Sequence, residues 1–279
     1  MKDIINVKNL IFRYPIGESG KEKTVIKNIS LNIEEGSFTA IIGKNGSGKS
    51  TFAKCINALL VAEEGDVFVL GMNTKDEEHI WDIRQNVAMV FQNPDNQIVA
   101  AIVEDDVAFG PENLGVQPEE IRRRVDDSLD AVKMDAFRKK GPHQLSGGQK
   151  QRIAVAGAIA MKPRCIVFDE PTAMLDPQGR HELIEIIKEQ NKAGITCILI
   201  THFMEEAAEA DRVIIMDDGD IVMDDIPGEI FLKRDELKSL DLDVPMAVEL
   251  GYRLRCNGIN IPESIMNEKE LVDAICQLK

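Results

Sequence analysis

"FTAIIGKNGSGKST", residues 38–51, decides the fold. "FTAII" is a short apolar run of the kind that forms a strand buried on both faces, and it stops at Gly43. "KSTFAKCINALL" follows with helical composition, so the stretch predicts a strand, a tight glycine-rich turn and a helix. The turn itself, "GKNGSGKST" (43–51), fills the phosphate-loop pattern at every position. A glycine-rich turn can match that pattern by chance, but a preceding strand and a following helix are the context that gives it meaning. Glycines let successive backbone N–H groups turn toward phosphate oxygens, a lysine reaches the β and γ phosphates, and a hydroxyl can ligate magnesium. The expected nucleotide-binding set is therefore Gly43, Lys44, Asn45, Gly46, Ser47, Gly48, Lys49, Ser50 and Thr51, with ATP and Mg2+ as the cofactors.

Further along, "CIVFDE" and "TCILITH" are two more candidate buried strands. "PQGRHELIEIIKEQNKAG" lies between them as a helix that opens on Pro177 after Asp176 and closes near Gly194. This is the punctuation of a parallel α/β sheet. In "CIVFDE" the strand delivers two acids at its carboxyl end, where ligands of such sheets bind. Asp169 is expected to hold magnesium through its water shell and Glu170 to polarise the attacking water as general base. A lone strand ending in acids is more often an ordinary surface feature; the upstream phosphate loop is what favours the functional reading. "LSGGQKQR" (145–152) opens an apolar helix with Ser146, an N-terminus whose free N–H groups favour anions, although capping is the commoner use of serine there.

The bulk properties narrow the classes. The chain of 279 residues has room for one large domain or a domain with a smaller appendage. Its formal net charge of -15 repels a phosphate backbone, which argues against nucleic acid as a partner. Five cysteines, Cys55, Cys165, Cys197, Cys256 and Cys276, are odd in number and far apart, so they read as small core residues in a reducing cytoplasm and not as a disulfide framework or metal site. The N-terminus lacks the apolar region of a signal peptide, and runs such as "CILI" are far too short for a membrane span. At the start, "IINVKNLIFRY" and "VIKNISLNI" are strand-like. Between residues 118 and 133, Ile121, Val125, Leu129 and Val132 recur at helical spacing, so the middle third reads as helical and inserted into the α/β frame. Beyond residue 227, Leu271, Ile275 and Leu278 recur likewise in a last helix, with Asn267 placed to cap it and Glu270 three residues on.

The run "LSGGQKQR" matches the signature of the ATP-binding-cassette ATPases residue for residue, and the resemblance covers most of the chain. It implies an α/β phosphate-loop NTPase of the ABC ATPase type. Such a fold has a mixed or parallel core sheet, an N-terminal antiparallel β subdomain, an inserted helical subdomain and a small helical C-terminal appendage. The implied division is 1–226 for the nucleotide-binding domain, with its helical subdomain at about 93–160, and 227–279 for a region of subunit contact. Tyr14 in "FRYP" sits where the family stacks an aromatic on adenine. Gln92 matches its glutamine loop, which contacts the magnesium, Asp176 its inter-subunit loop and His202 its switch histidine. Without the family, Tyr14 reads equally as a strand-end aromatic and His202 as a core histidine. Met174 departs mildly from a segment where small residues are common. The implied catalytic set is Glu170, His202 and Gln92, and the implied metal ligands are Ser50, Gln92 and Asp169. Ser146, Gly147, Gly148, Gln149 and Asp176 are the family's contacts across a dimer that sandwiches ATP.

No long coiled coil fits within residues 52–144, which sets the chain apart from DNA-repair and chromosome-structure ATPases bearing the same signature. "FQNPDNQIVAAIVEDDVAFGPENLG" resembles the ATPases of energy-coupling-factor importers, which take up vitamins and transition metals, and "LSGGQKQRIAVAGAIA" is similar to the first of their two ATPase subunits. That resemblance implies a second, homologous ATPase, a transmembrane coupling protein and a substrate-specific membrane component. It also implies a peripheral location on the cytoplasmic face of the cell membrane. A homodimer, an importer dedicated to cobalt or nickel, and a soluble iron-sulfur-assembly ATPase stay open. In the same stretch Asp95, Glu104, Asp105 and Asp106 are expected to present a negative field to arginine on the membrane partner, the alternative being a solvated acidic helix face.

Overall fold

The computed structural model describes residues 2–16 and 21–278. The N-terminal strands β1 (Asp3–Ile16) and β2 (Lys21–Glu34) pair antiparallel. They share a four-stranded sheet, ordered β2-β1-β4-β5, with β4 (Glu64–Val69) and β5 (Met72–Asn73). The register of β1 shifts between Lys8 and Ile11, where Asn9 turns to a φ of 50°. Opposite it, Gly65 has no room for a side chain: a Cβ would lie 2.1 Å from the Asn9 carbonyl oxygen.

The second sheet has six strands in the order β10-β9-β3-β8-β7-β6. These are β3 (Phe38–Ile42), β6 (Val87–Val90), β7 (Cys165–Asp169), β8 (Thr196–Ile200), β9 (Arg212–Asp217) and β10 (Asp220–Asp225). All neighbours are parallel except β9 and β10. Every residue of β3, β7 and β8 is buried, as their short apolar runs predict. Because successive side chains alternate, each strand feeds two cores. Ile41, Val167, Ile198 and Ile200 pack with α1 (Lys49–Ile56) and the antiparallel sheet, while Ala40, Ile42, Ile166, Phe168 and Leu199 face the opposite helical layer.

After the short α2 (Ile80–Asn86), the helical layer contains α3 (Val103–Asn113), α4 (Pro118–Ala131) and α5 (Gly147–Ala160), all between β6 and β7 in the chain. In α4 the expected apolar stripe is realised: Val125 and Leu129 are buried, and the helix ends where Lys133 takes a φ of 58°. The helix expected from "KSTFAKCINALL" is shorter than its composition suggests and ends at Ile56. Asn57 turns its amide inward to donate to the Val87 carbonyl, and Ala58 adopts a φ of 55°, which stops further helical turns.

The chain continues through α6 (Pro177–Lys192), α7 (Met204–Ala207), α8 (Pro227–Leu232), α9 (Arg234–Ser239), α10 (Met246–Cys256) and α11 (Glu268–Cys276). Ile230, Phe231, Leu237, Leu242 and Val248 pack into the main core, whereas Ala247, Ile261, Ile265 and Leu271 form a small core of their own. Asn267 caps α11 by accepting from the Glu270 N–H at 3.0 Å, and the Glu270 carboxylate accepts from the Met266 N–H at 2.8 Å. Of the apolar residues expected along that helix, Leu271 is buried but Ile275 and Leu278 are exposed. No helix among the described residues is long and apolar enough to cross a membrane.

The cysteines divide. Cys55, Cys165 and Cys197 are buried as expected, but Cys256 and Cys276 are exposed on the tail helices. Burial pushes the Cys55 and Cys197 thiols up to about 12, and pushes Cys165 upward as well. Alkylation of the folded chain at pH 8 should therefore label Cys256 and Cys276 and leave the other three unmodified until denaturant is added, as read by peptide mass. Phe231→Ala should lower the main unfolding transition, with a loss of about 3–5 kcal/mol measured by chemical denaturation.

Candidate active site

The carboxyl end of β3 runs directly into the phosphate loop. At Gly43 a Cβ would lie 2.0 Å from the Met216 carbonyl oxygen, so only glycine lets the loop leave the sheet past β9. Gly46 and Gly48, at φ 84° and 104°, supply the left-handed turns that close the loop onto α1. Lys49 is 4% exposed, and its Nζ donates to the carbonyls of Gly43 at 2.7 Å and Lys44 at 2.9 Å. Burial pushes its pKa down, while Glu170 and Asp169 push it back up. Asn45 and Gly46 are exposed at the rim of the loop, and Lys44 reaches away to Asp241 at 3.1 Å. The Ser47 hydroxyl is buried with no hydrogen-bond partner among the described residues. Thr51 is buried, and its Oγ1 lies 3.5 Å from the Tyr14 hydroxyl; the Tyr14 ring stands edge-on to Phe12 beside the loop.

The neighbouring strands deliver acids and their partners to the same edge. Asp169, at the end of β7, is 6% exposed and accepts from the Ser50 hydroxyl at 2.8 Å. Burial raises its pKa, Ser50 opposes the rise, and Glu170 adds to it. Glu170 turns sharply out of the strand at a φ of 50°, while its N–H still bonds to Ile200 at 2.9 Å. Its Oε2 accepts from Gln92 Nε2 at 2.9 Å and lies 3.7 Å from His202 Nδ1. His202 follows β8 and stacks obliquely on Phe203, with centroids 4.1 Å apart. Ser50, Gln92, Asp169, Glu170 and His202 thus converge from four chain segments onto the carboxyl edge of one parallel sheet, beside Lys49.

Ser146, Gly147, Gly148, Gln149 and Asp176 form a second group. Ser146 caps α5 in a reciprocal pair with Gln149: the Ser146 N–H donates to Gln149 Oε1 at 2.9 Å, and Ser146 Oγ accepts from the Gln149 N–H at 3.3 Å. Asp176 caps α6, accepting from the Gly179 N–H at 2.7 Å. A Cβ on Gly148 would meet Leu175 at 3.2 Å, so the two helix starts lie side by side. Among the described residues no hydrogen bond or ion pair joins this group to the phosphate loop.

Two glutamines without an expected site role hold the glutamine loop to α5. Gln151, buried, donates to the Phe91 carbonyl at 3.2 Å. Gln97 accepts from the Phe91 N–H at 3.2 Å and donates to the Ala154 carbonyl at 3.3 Å. Gln151 stands between Lys150 and Arg152 within the signature run, and nothing in those neighbours marks it as buried. The acidic stretch departs from expectation. Asp95 pairs with Lys150 at 2.6 Å, Glu104 with Arg138 at 3.1 Å and with Lys139, and Asp106 accepts from the Val99 and Ala100 N–H groups at 2.7 and 2.9 Å. Asp105 alone of the four has no such bond among the described residues; Glu104 and Asp106 brace the start of α3, while Asp95, itself exposed, ties the turn after Gln92 to α5. The exposed large apolar side chains of the stretch are Val99 and Phe109.

The donor set fits a magnesium nucleotide: two hard oxygen donors, Ser50 and Asp169, lie side by side next to a glycine-turned backbone cradle and a buried lysine. A phosphate loop between strand and helix, with two acids ending a parallel strand, defines the class as a phosphate-loop ATPase. Comparison with known proteins narrows it. The family described as "ABC transporter" matches residues 26–173, and the family described as "Energy-coupling factor transporter EcfA1 C-terminal domain" matches 245–279. An energy-coupling factor transporter ATP-binding protein EcfA1 from Caldanaerobacter subterraneus subsp. tengcongensis is 59% identical over 278 residues, 99% of this chain and 100% of that one. Its namesake from Clostridium perfringens is 56% identical over 279 residues, 100% of this chain and 99% of that one. The solved structure of cbiO1 from Clostridium perfringens, described as part of the ABC transporter complex cbiONQ, superimposes with a TM-score of 0.77 at 33% identity, covering 92% of this chain and 98% of that one. A dimeric ATP-binding cassette in a post-hydrolysis state with ADP and Pi gives 0.73 at 32% identity, over 80% of this chain and 98% of that one. The chain belongs to the ABC transporter family, among the energy-coupling factor transporter ATP-binding proteins.

Asp169 supplies a test of the site's electrostatics. Its raised pKa means that the folded chain binds a proton where the unfolded chain has released it, so stability falls as pH rises through that window and stays lower above it. Asp169→Asn should raise the melting temperature of the nucleotide-free chain at pH 7.5, by roughly 2–4 °C per kcal/mol relieved, while hydrolysis is lost.

Proposed function

We propose that this protein is the ATP-hydrolysing subunit of an energy-coupling-factor importer for vitamins or other micronutrients, one half of an ATPase dimer beneath a transmembrane coupling protein. The observation that carries this reading is the meeting of Gln92 and His202 on the single carboxylate of Glu170, directly beside the phosphate loop.

The backbone from Gly43 to Thr51 cradles the phosphates, and Lys49, held at the mouth of the loop, supplies positive charge to the β and γ phosphates. Ser50, Asp169 and Gln92 would hold Mg2+, which when bound neutralises charge on the phosphate oxygens. Glu170 accepts the proton of the attacking water as the oxygen–phosphorus bond forms and the bond to the bridging oxygen of ADP breaks. Gln92 and His202 keep that carboxylate aimed. Tyr14, beside Thr51, offers its ring to adenine.

The second group of residues completes a site on another molecule. Ser146, Gly147, Gly148 and Gln149 present the positive end of α5, and Asp176 lies next to them, with no bond among the described residues to the chain's own phosphate loop. Such a group suits the nucleotide of a facing ATPase, which we take to be a second, homologous subunit. The cbiO1 relative is part of a transporter complex, cbiONQ, which supports membrane partners here, and we assign a transmembrane coupling protein and a substrate-specific component to them. The chain then sits peripherally on the cytoplasmic face of the membrane. Residues 1–226 serve as the nucleotide-binding domain, with 93–160 as its helical subdomain, and 227–279 serve subunit contact. Val99 and Phe109, more than the acids around them, are suited to meet the coupling protein.

Glu170→Gln should retain ATP binding and lower turnover by at least about 10²-fold, measured as phosphate release by the assembled complex. Turnover near the original rate would remove Glu170 from its role. Detergent extraction followed by pull-down should recover a second ATPase and a membrane protein; recovery of soluble partners alone would exclude the importer.

A further inference from the structure

Glu206 belongs to none of the motifs that define the site, yet it lies at the junction of two catalytic loops. It is the third residue of α7, and its side chain is buried against the end of the parallel sheet. One oxygen, Oε2, accepts two hydroxyls: Thr172 Oγ1 at 2.9 Å and Thr201 Oγ1 at 2.6 Å. Both threonines are 1% exposed. Thr172 stands two residues beyond Glu170, and Thr201 immediately precedes His202. Thr201 Oγ1 also accepts from the Phe203 N–H at 3.0 Å, so the backbone is pinned on both sides of His202.

A buried carboxylate is an expensive way to join two loops. Its second oxygen, Oε1, is buried with no hydrogen-bond partner among the described residues. The guanidinium of Arg180, one turn into α6 from Asp176, packs on the Phe203 ring at 4.1 Å and lends Glu206 opposite charge. An apolar side chain of similar volume would fill the space without a desolvation penalty, but it would leave two buried hydroxyls without an acceptor and the loops unconnected.

We propose that Glu206 is a positioning residue for hydrolysis, holding Thr172 and Thr201 on one oxygen so that His202 stays in register with Glu170 and the two loops move as a unit. The inference rests on the roles given above to Glu170 and His202. It requires that Glu206 act on turnover through His202 and leave nucleotide affinity alone, since among the described residues no bond joins Glu206 to the phosphate loop.

The test uses the assembled transporter complex with Glu206→Ala, Glu206→Gln, His202→Ala and the Glu206→Ala/His202→Ala double variant. Phosphate release and binding of a fluorescent ATP analogue are the readouts. Glu206→Ala should lower kcat by about tenfold or more with KM and analogue affinity within about twofold. Glu206→Gln, which still offers one oxygen to both hydroxyls, should stay within about threefold of the original kcat. The double variant should be no slower than His202→Ala alone, because groups that act as a unit are not additive. Thr201→Val and Thr172→Val, which keep shape and remove one hydroxyl each, should repeat the kcat loss in smaller measure, and they serve if the alanine variant fails to fold. An unchanged kcat in Glu206→Ala, losses that multiply in the double variant, or a kcat loss matched by lost analogue binding would overturn the inference while leaving the site reading intact. Undiminished turnover in His202→Ala would instead overturn the site reading, and the inference with it.

Discussion

Every residue of β3, β7 and β8 is buried, so polar groups on these strands can meet a ligand only where the strands stop. The parallel arrangement makes all three stop on the same side. That constraint gathers Gly43, Asp169 and His202, far apart in the chain, onto one edge without any covalent link between them. It also explains the backbone there. Glu170 takes a left-handed turn because the chain must leave a fully enclosed strand within one residue and still present a carboxylate to Gln92. Gly43 makes the equivalent exit past the Met216 carbonyl, where no side chain fits.

The helical layer builds a second dependence on that edge. α5 opens just after its exposed cap Ser146, and about a turn later it grips Phe91 through Gln151. Phe91 is the residue before Gln92, and Gln97 grips the same peptide from the other side. A shift of α5 therefore carries the glutamine that contacts Glu170 along with it. The helix start that faces outward and the carboxylate at the sheet edge are mechanically joined through two amide side chains.

The features legible in the sequence were those governed by neighbours in the chain. The enclosed strands, the phosphate loop, the stripe of α4 and the cap at Asn267 each depend on residues within one or two turns. The features that were not legible depend on partners far along the chain. Asn57 ends α1 early because the Val87 carbonyl, thirty residues on, takes its amide. Glu104 and Asp95 look like free charge in the sequence and find Arg138, Lys139 and Lys150 only after folding. Cys276 follows Ile275 in the sequence and Cys256 lies between Arg255 and Asn257, and both are exposed on their helices. At the candidate site, the motifs named the residues that converge, while the supporting roles of Gln97 and Gln151 were not legible because the backbone groups they hold, at Phe91 and Ala154, meet them only after folding.

The margins of the six-stranded sheet bear on what the molecule avoids. A strand with unpaired backbone on one side invites another strand to add to it. β6, at one margin, is only four residues long and all of them are buried. β10, at the other, carries Asp220, Asp224 and Asp225 in six residues, and the peptide just before it is occupied where Lys27 donates to Gly219. Neither margin is a good template for the growth of a continuous sheet between molecules. Contact with another molecule is thereby steered to surfaces other than the margins of this sheet.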